Sequence, residues 1–153
     1  MEVFQSVVFK LDEERYGLDI TYVNGIEREQ SVVRVPNASR NIKGIINLRG
    51  EVIPVLNLRA KFNMPNQTSS EETEFIIINL PNNKVALEVD SVDEINNVED
   101  VNMVDMPVIA KGTGVKYFDR VAKVGDNLII LINALELLSD DELEAVEKLV
   151  EEK

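Results

Sequence analysis

Asp90, Asp93, Glu94, Glu99 and Asp100 form a group of side chains in this 153-residue sequence that could do chemistry. Paired carboxylates serve hydrolases as general acid and base, and clustered ones hold hard cations such as Ca²⁺ or Mg²⁺. Asp90-Ser91-Val92 follows an apolar run, as the loop of an aspartic protease would. That chemistry needs Asp-Thr/Ser-Gly, because the glycine lets two catalytic loops approach, and here valine stands in its place. The acids also lack the alternate spacing and central glycine of an EF-hand loop. Gly112-Thr113-Gly114-Val115-Lys116 is not G-x-x-x-x-G-K-[ST], and no amphipathic helix follows it, so it reads as a flexible loop. A carboxylate-dependent hydrolase is the one enzyme reading left, set against a plain strand end with a solvated acidic face.

The remaining chemistry is removed by composition. With no histidine and no cysteine, Ser-His-Asp triads, Cys-His dyads, imidazole and thiolate metal sites and disulfides are all absent. The expectation is a non-enzymatic protein with no metal site and no cofactor.

Charge narrows the partners. Residues 85 to 105 carry seven acids and no base, and residues 139 to 153 carry seven acids against two lysines, giving -7 and -5, the whole net charge of -12. Nucleic acids and anionic membranes need clustered cations, so neither is expected to bind. The start, Met1-Glu2-Val3-Phe4-Gln5, has no basic and long apolar signal pattern, and runs such as Leu128 to Ile132 are too short to span a bilayer, so a cytoplasmic protein without membrane insertion is expected. A composition of 44% hydrophobic and 29% charged residues suits a chain that folds alone.

The elements that carry these residues are mainly strands. Apolar residues alternate or cluster in short Val- and Ile-rich runs, which predicts a β protein. Val3 to Leu11, with Val3, Val7, Phe9 and Leu11 on one face, turns through residues 12 to 15 into Tyr16 to Ile20, a first hairpin. Val32 to Val35 reads as a short strand stopped by Pro36. Gly44 to Leu48 meets Val52 to Leu56 across Arg49-Gly50-Glu51, where Gly50 supplies the positive φ of a tight turn. Pro54 cannot donate to a ladder, which places its strand at an edge or a bulge. One helical turn is predicted over Arg59 to Met64, followed by the polar loop Pro65 to Ser70, the best boundary between two lobes. Phe75 to Leu80 with Val85 to Val89, and Tyr117 to Val124 with Leu128 to Ile132, read as further hairpins. From Leu135 onward the period becomes helical, and Ser139-Asp140-Asp141-Glu142 is a capping box. The fold class predicted is all-β: two small five-stranded barrels packed together, approximately 12–65 and 74–133, with strand 3–11 assignable to either, and a short C-terminal helix over 139–152.

Val35-Pro36, then Ile42-Lys43-Gly44-Ile45-Ile46-Asn47-Leu48-Arg49-Gly50-Glu51-Val52-Ile53-Pro54-Val55, then Asn57-Leu58 closely resembles the CheW-like family, the coupling proteins of bacterial chemotaxis. The family hallmark is N-L-R-G preceded by G-[IV]-[IV] and followed by [VI]-[IV]-P-[VI]. Tyr16-Gly17-Leu18-Asp19-Ile20 with Val23, Val85 to Val89 with Asp90 and Val92, and Leu128 to Asn133 with Leu135 and Leu138-Ser139 also match, in family order along nearly the whole chain. The resemblance implies a single CheW-like domain of two SH3-like barrels. It implies a non-enzymatic adaptor, a scaffold coupling chemoreceptors to the histidine kinase CheA in chemotaxis signal transduction, held in receptor-kinase arrays at the inner face of the membrane. The same module in a non-chemotaxis receptor-kinase array is the alternative.

For single residues the resemblance implies that Arg49, on a rigid hairpin, binds the regulatory domain of CheA, with Ile46, Val52 and Ile53 as flanking candidates. It places the cytoplasmic receptor tip in a groove between the barrels, with Val7, Ile20, Val23, Ile26 and Val92 as candidates; ordinary core is the competing reading of each. The isolated chain is expected to be a monomer. Two positions depart from the pattern. Relatives often carry an acid two residues after the valine matched by Val23, where this chain has Gly25 with Glu27 two further on. They often have V-D-G where this chain has Val89-Asp90-Ser91.

Overall fold

A computed structural model describes residues 3–36, 40–65, 72–99, 103–105 and 117–151. Its strands run β1 Val3–Leu11, β2 Glu14–Asp19, β3 Val23–Arg28, β4 Ile42–Leu48, β5 Glu51–Asn57, β6 Glu74–Asn79, β7 Lys84–Val89, β8 Ser91–Glu99, β9 Met103–Asp105, β10 Phe118–Val124 and β11 Asn127–Ile132. A single helical turn, α1 Leu58–Lys61, follows β5, and α2 Asp140–Glu151 ends the described chain. One sheet has six strands in the order β8-β1-β2-β11-β10-β9, the other five in the order β3-β6-β7-β5-β4. The predicted all-β architecture of two small lobes with a terminal helix is present. One sheet gains a sixth strand through β9, and among the described residues neither sheet closes by hydrogen bonding between its end strands.

The lobes are nested rather than consecutive. The chain leaves the six-stranded sheet after β2, builds the whole five-stranded sheet from β3 to β7, and returns with β8. The division into 12–65 and 74–133 therefore does not match the sheets. β2 joins the six-stranded sheet through β1 and β11, whereas β6 and β7 join the five-stranded one through β3 and β5; β1 itself pairs antiparallel with β2 on one side and with β8 on the other. The predicted boundary Pro65 to Ser70 falls in chain order between α1 and β6, two elements of the same lobe, and its residues 66–70 lie outside the described residues. The real crossings are the 3-10 turn Ile20–Tyr22, capped by the Asp19 carboxylate on the Thr21 N–H at 3.0 Å, and the single residue Asp90 between β7 and β8.

Three apolar layers result. The largest lies between the sheets and joins Val7, Phe9 and Leu11 of β1 to Ile76 and Ile78 of β6, Leu87 of β7, and Leu137 and Val146 beyond β11. A second, with Ile46, Ile53, Val55, Phe75 and Ile77, fills the five-stranded lobe, and a third, with Val8, Ala122, Ile129 and Leu131, fills the other. Adjacent residues of β1 and β6 thus bury opposite faces, which explains why these strands read as near-continuous apolar runs.

The hallmark segment has a steric logic. Val33 bridges to Ile45 through two backbone hydrogen bonds of 2.9 Å, so the segment crosses β4 directly over Gly44, where a β-carbon would stand 2.2 Å from the Val33 carbonyl oxygen. Because Ile45 turns its N–H and C=O toward Val33, its pair with Pro54 is of the non-hydrogen-bonded kind, and the proline nitrogen faces the other way. There β7 pairs with β5 only from Val55 onward. Pro54 thus sits in an interior strand at a place that is locally an edge. Val32 to Val35, predicted as a strand, supplies only this bridge.

The terminal helix forms as its capping box predicts. Ser139 Oγ accepts from the Glu142 N–H at 3.2 Å, and Glu142 Oε1 accepts from the Ser139 N–H at 2.9 Å. Glu142 also accepts from Asn41 Nδ2 at 2.7 Å and from Lys61 Nζ, tying the helix start to the residue before β4 and to α1. Burial alone would push its carboxyl up, but hydrogen bonds from Lys61, the Ser139 N–H and Asn41 hold it below the usual glutamate range.

Candidate functional site: the β4–β5 hairpin and the lobe crossing

The β4–β5 turn is held from three sides. Arg49 and Gly50 both take positive φ, 51° and 85°, the two-residue turn whose twist matches the flanking strands. The Gly50 N–H, which the ladder leaves free, donates to Asn47 Oδ1 at 2.9 Å. Leu48 is buried beneath the turn. Within Asn47-Leu48-Arg49-Gly50, the asparagine clamps the turn, the leucine anchors it, the arginine projects from it and the glycine makes the bend.

The Arg49 side chain is 72% exposed. Its guanidinium donates to Glu27 Oε2 on β3 at 3.3 Å, and that carboxylate reaches back to lie 3.7 Å from where a Gly25 β-carbon would be. The Glu27 carboxylate thus lies beside the space that a side chain at position 25 would enter. Glu27 stands out in sequence as the acid two residues past Gly25; its pairing with Arg49 needs the curl of the sheet that brings β3 under the hairpin.

The flanking kinase-contact candidates separate by strand alternation. Val52 is half-buried at the surface, whereas Ile46 and Ile53 are 2% and 1% exposed within the five-stranded lobe. Those two are core in the folded chain, because β4 and β5 turn that face inward. The receptor-contact candidates gather on the layer between the sheets. Val7 is fully inside it, which removes it from the surface, while Ile20, Val23 and Val92 pack on its rim, partly exposed. Ile26 is exposed, and its cross-strand partner Ile76 belongs to the same layer.

Asp90, the central acid of the hydrolase reading, is a strut. Arg59 Nε donates to Asp90 Oδ1 at 2.8 Å, Arg59 Nη2 bonds both Asp90 Oδ2 and Asp12 Oδ1, and the Asp12 N–H donates to Asp90 Oδ2 at 2.8 Å. Arg59 Nη1 donates to the Pro65 carbonyl at 2.9 Å. One guanidinium thus joins the β1–β2 turn, α1 and the crossing between lobes. Burial would raise the Asp90 carboxyl, but the Arg59 hydrogen bond and the Asp12 N–H hold it below the ordinary aspartate range. A general acid needs the opposite shift. Asp93 pairs with Arg15 at 3.1 Å. Asp100 and the loop Gly112 to Lys116 lie outside the described residues. Among the described residues no cluster of three or more acidic side chains is arranged to hold a metal.

A family profile described as CheW-like domain matches residues 5–142. The chain belongs to the CheW-like family. This CheW-like chain is 32% identical to the chemotaxis protein CheW of Treponema pallidum over 97% of its own length and 89% of that protein's. It is 31% identical to chemotaxis protein CheW of Bacillus subtilis, covering 90% of this chain and 88% of that one. The crystal structure of the scaffolding protein TtCheW from Thermoanaerobacter tengcongensis is similar at a TM-score of 0.80 and 31% identity, covering 93% of this chain and 92% of that one. The CheW-like protein is accordingly an adaptor of the chemotaxis scaffold type. No helix among its described residues is long and apolar enough to cross a membrane.

Proposed function

We propose that the chain couples chemoreceptors to the histidine kinase CheA without catalysing a reaction, working in the cytoplasm within arrays at the membrane's inner face. The kinase's regulatory domain docks on the β4–β5 hairpin through Arg49 and Val52. The receptor tip docks along the rim where Ile20, Val23, Ile26 and Val92 border the layer between the sheets. The observation that carries this reading is Arg49: a long, solvent-facing cation on a backbone that Asn47, Leu48 and Gly50 lock in place. Holding a non-glycine residue in the left-handed region costs about 1 to 2 kcal/mol, and such strain concentrates at functional positions. Aliphatic rims suit a helical partner laid in as a ridge. The isolated chain acts as a monomer that presents the two surfaces to different partners.

Co-sedimentation tests the coupling. Receptor cytoplasmic fragments assembled on vesicles should pellet the kinase only when this chain is present, and Arg49→Glu should leave the chain with the receptors while the kinase stays in the supernatant. A kinase that pellets equally well with and without the chain would end the coupling proposal.

A further inference from the structure

The end of β4 opposite the hairpin borders a second feature, an open cleft of about 720 Å³. Arg34, Arg40 and Lys43 line it together with Val35, Met64 and Pro65. In a chain of net charge -12 this is an inverted patch. Acids outnumber bases 28 to 16, and the cations Arg15, Lys43, Arg49, Arg59, Lys61 and Lys84 each hold a carboxylate. Arg34 and Arg40 do not: both are exposed, and among the described residues no carboxylate lies within ion-pair reach of either. Lys43 is already matched, by Glu88 at 2.6 Å, so the unmet charge on the cleft belongs to the two arginines.

We propose that this cleft binds a short acidic segment of a partner protein, a stretch in which carboxylates alternate with aliphatic side chains. The planar guanidinium fork matches a carboxylate. The Val35, Met64 and Pro65 surface offers apolar contact beside it, and the volume is that of a cleft able to hold a few side chains. A nucleic acid is disfavoured because a phosphate polymer extends across the acidic faces and meets the net charge, whereas a short peptide feels charges only within a Debye length of about 8 Å. The site lies beyond the hairpin reading and does not depend on it, since Arg49 projects from the other end of the strand.

The test is backbone-amide NMR of the full chain titrated with a short synthetic peptide of alternating Glu and Leu, beside its Gln and Leu counterpart. The cleft predicts saturable, salt-sensitive shifts at Arg34, Val35, Lys43 and Met64 with the Glu peptide and none with the Gln peptide. Arg34→Glu with Arg40→Glu should weaken binding by about tenfold or more, with amide signals elsewhere unmoved, and Arg49→Glu should leave it unchanged. Absence of saturable shifts in the wild type, equal binding of the Gln peptide, or binding indifferent to the double charge reversal would overturn the proposal. So would an oligonucleotide that binds the same amides and displaces the peptide.

Discussion

Arg49 and Gly44 show how a few residues of the hallmark segment carry both the fold and the surface. Arg49 holds φ at 51°, a conformation that a side chain makes costly and that glycine adopts freely. Arg49→Gly should therefore raise thermal stability by about 1 kcal/mol while losing kinase binding, a combination that calorimetry and a binding assay on the same sample would reveal. Gly44 answers to a different constraint, the Val33 carbonyl lying over it. Gly44→Ala should cost about 2 kcal/mol or more in urea unfolding, because the bridging segment must lift off β4. Both residues are conspicuous in the sequence, and Gly50's turn role is predictable from it. The Val33 overpass and the reach of Glu27 are not, since they arise from contacts between segments that no local pattern encodes.

At the scale of elements, the terminal helix is the case in which local sequence sufficed. Ser139 and Glu142 satisfy each other's backbone N–H groups as the capping box requires, and Val146 is buried against the central layer. Ser139→Ala should lower stability by about 1 kcal/mol, measured by thermal unfolding, with binding of kinase and receptor unchanged. The hairpins β1–β2, β4–β5, β6–β7 and β10–β11 were equally legible, because alternation and turn residues lie within each one. β3 and β8 escape notice for a physical reason. β3 ends the five-stranded sheet and β8 ends the six-stranded one, and edge strands carry polar residues such as Asn24, Arg28, Asp93 and Asn96 that blur a period of two. Strand identity is a local property, whereas pairing partners are not, and for that reason the nested lobes could not be read from the pattern.

For the whole molecule, two carboxylates join distant parts of the chain. Asp90 links the lobe crossing to Arg59 and the β1–β2 turn, and Glu142 links α2 to Lys61 and Asn41. Both have lowered affinity for protons in the folded state. The unfolded chain therefore takes up protons first as pH falls, so the stability they contribute is complete above the ordinary carboxylate range and is lost as pH drops through about 4 and below. Urea midpoints should fall over that window. Asp90→Asn should be less stable by about 2 kcal/mol at neutral pH, because it leaves the Arg59 guanidinium under-compensated, and its stability should depend less on acid. An unchanged acid slope in that variant would place the sensitivity elsewhere.

The adaptor account stands or falls on the hairpin. Isothermal titration of the folded chain against the regulatory domain of the cognate kinase, wild type beside Arg49→Glu, measures it directly. The prediction is micromolar or tighter binding by the wild type and a loss of at least tenfold on reversing that one charge, with only a small fall in the unfolding midpoint from the exposed Glu27 pair it breaks. Wild-type affinity retained by Arg49→Glu, or no binding by a wild-type chain that is demonstrably folded, would contradict it.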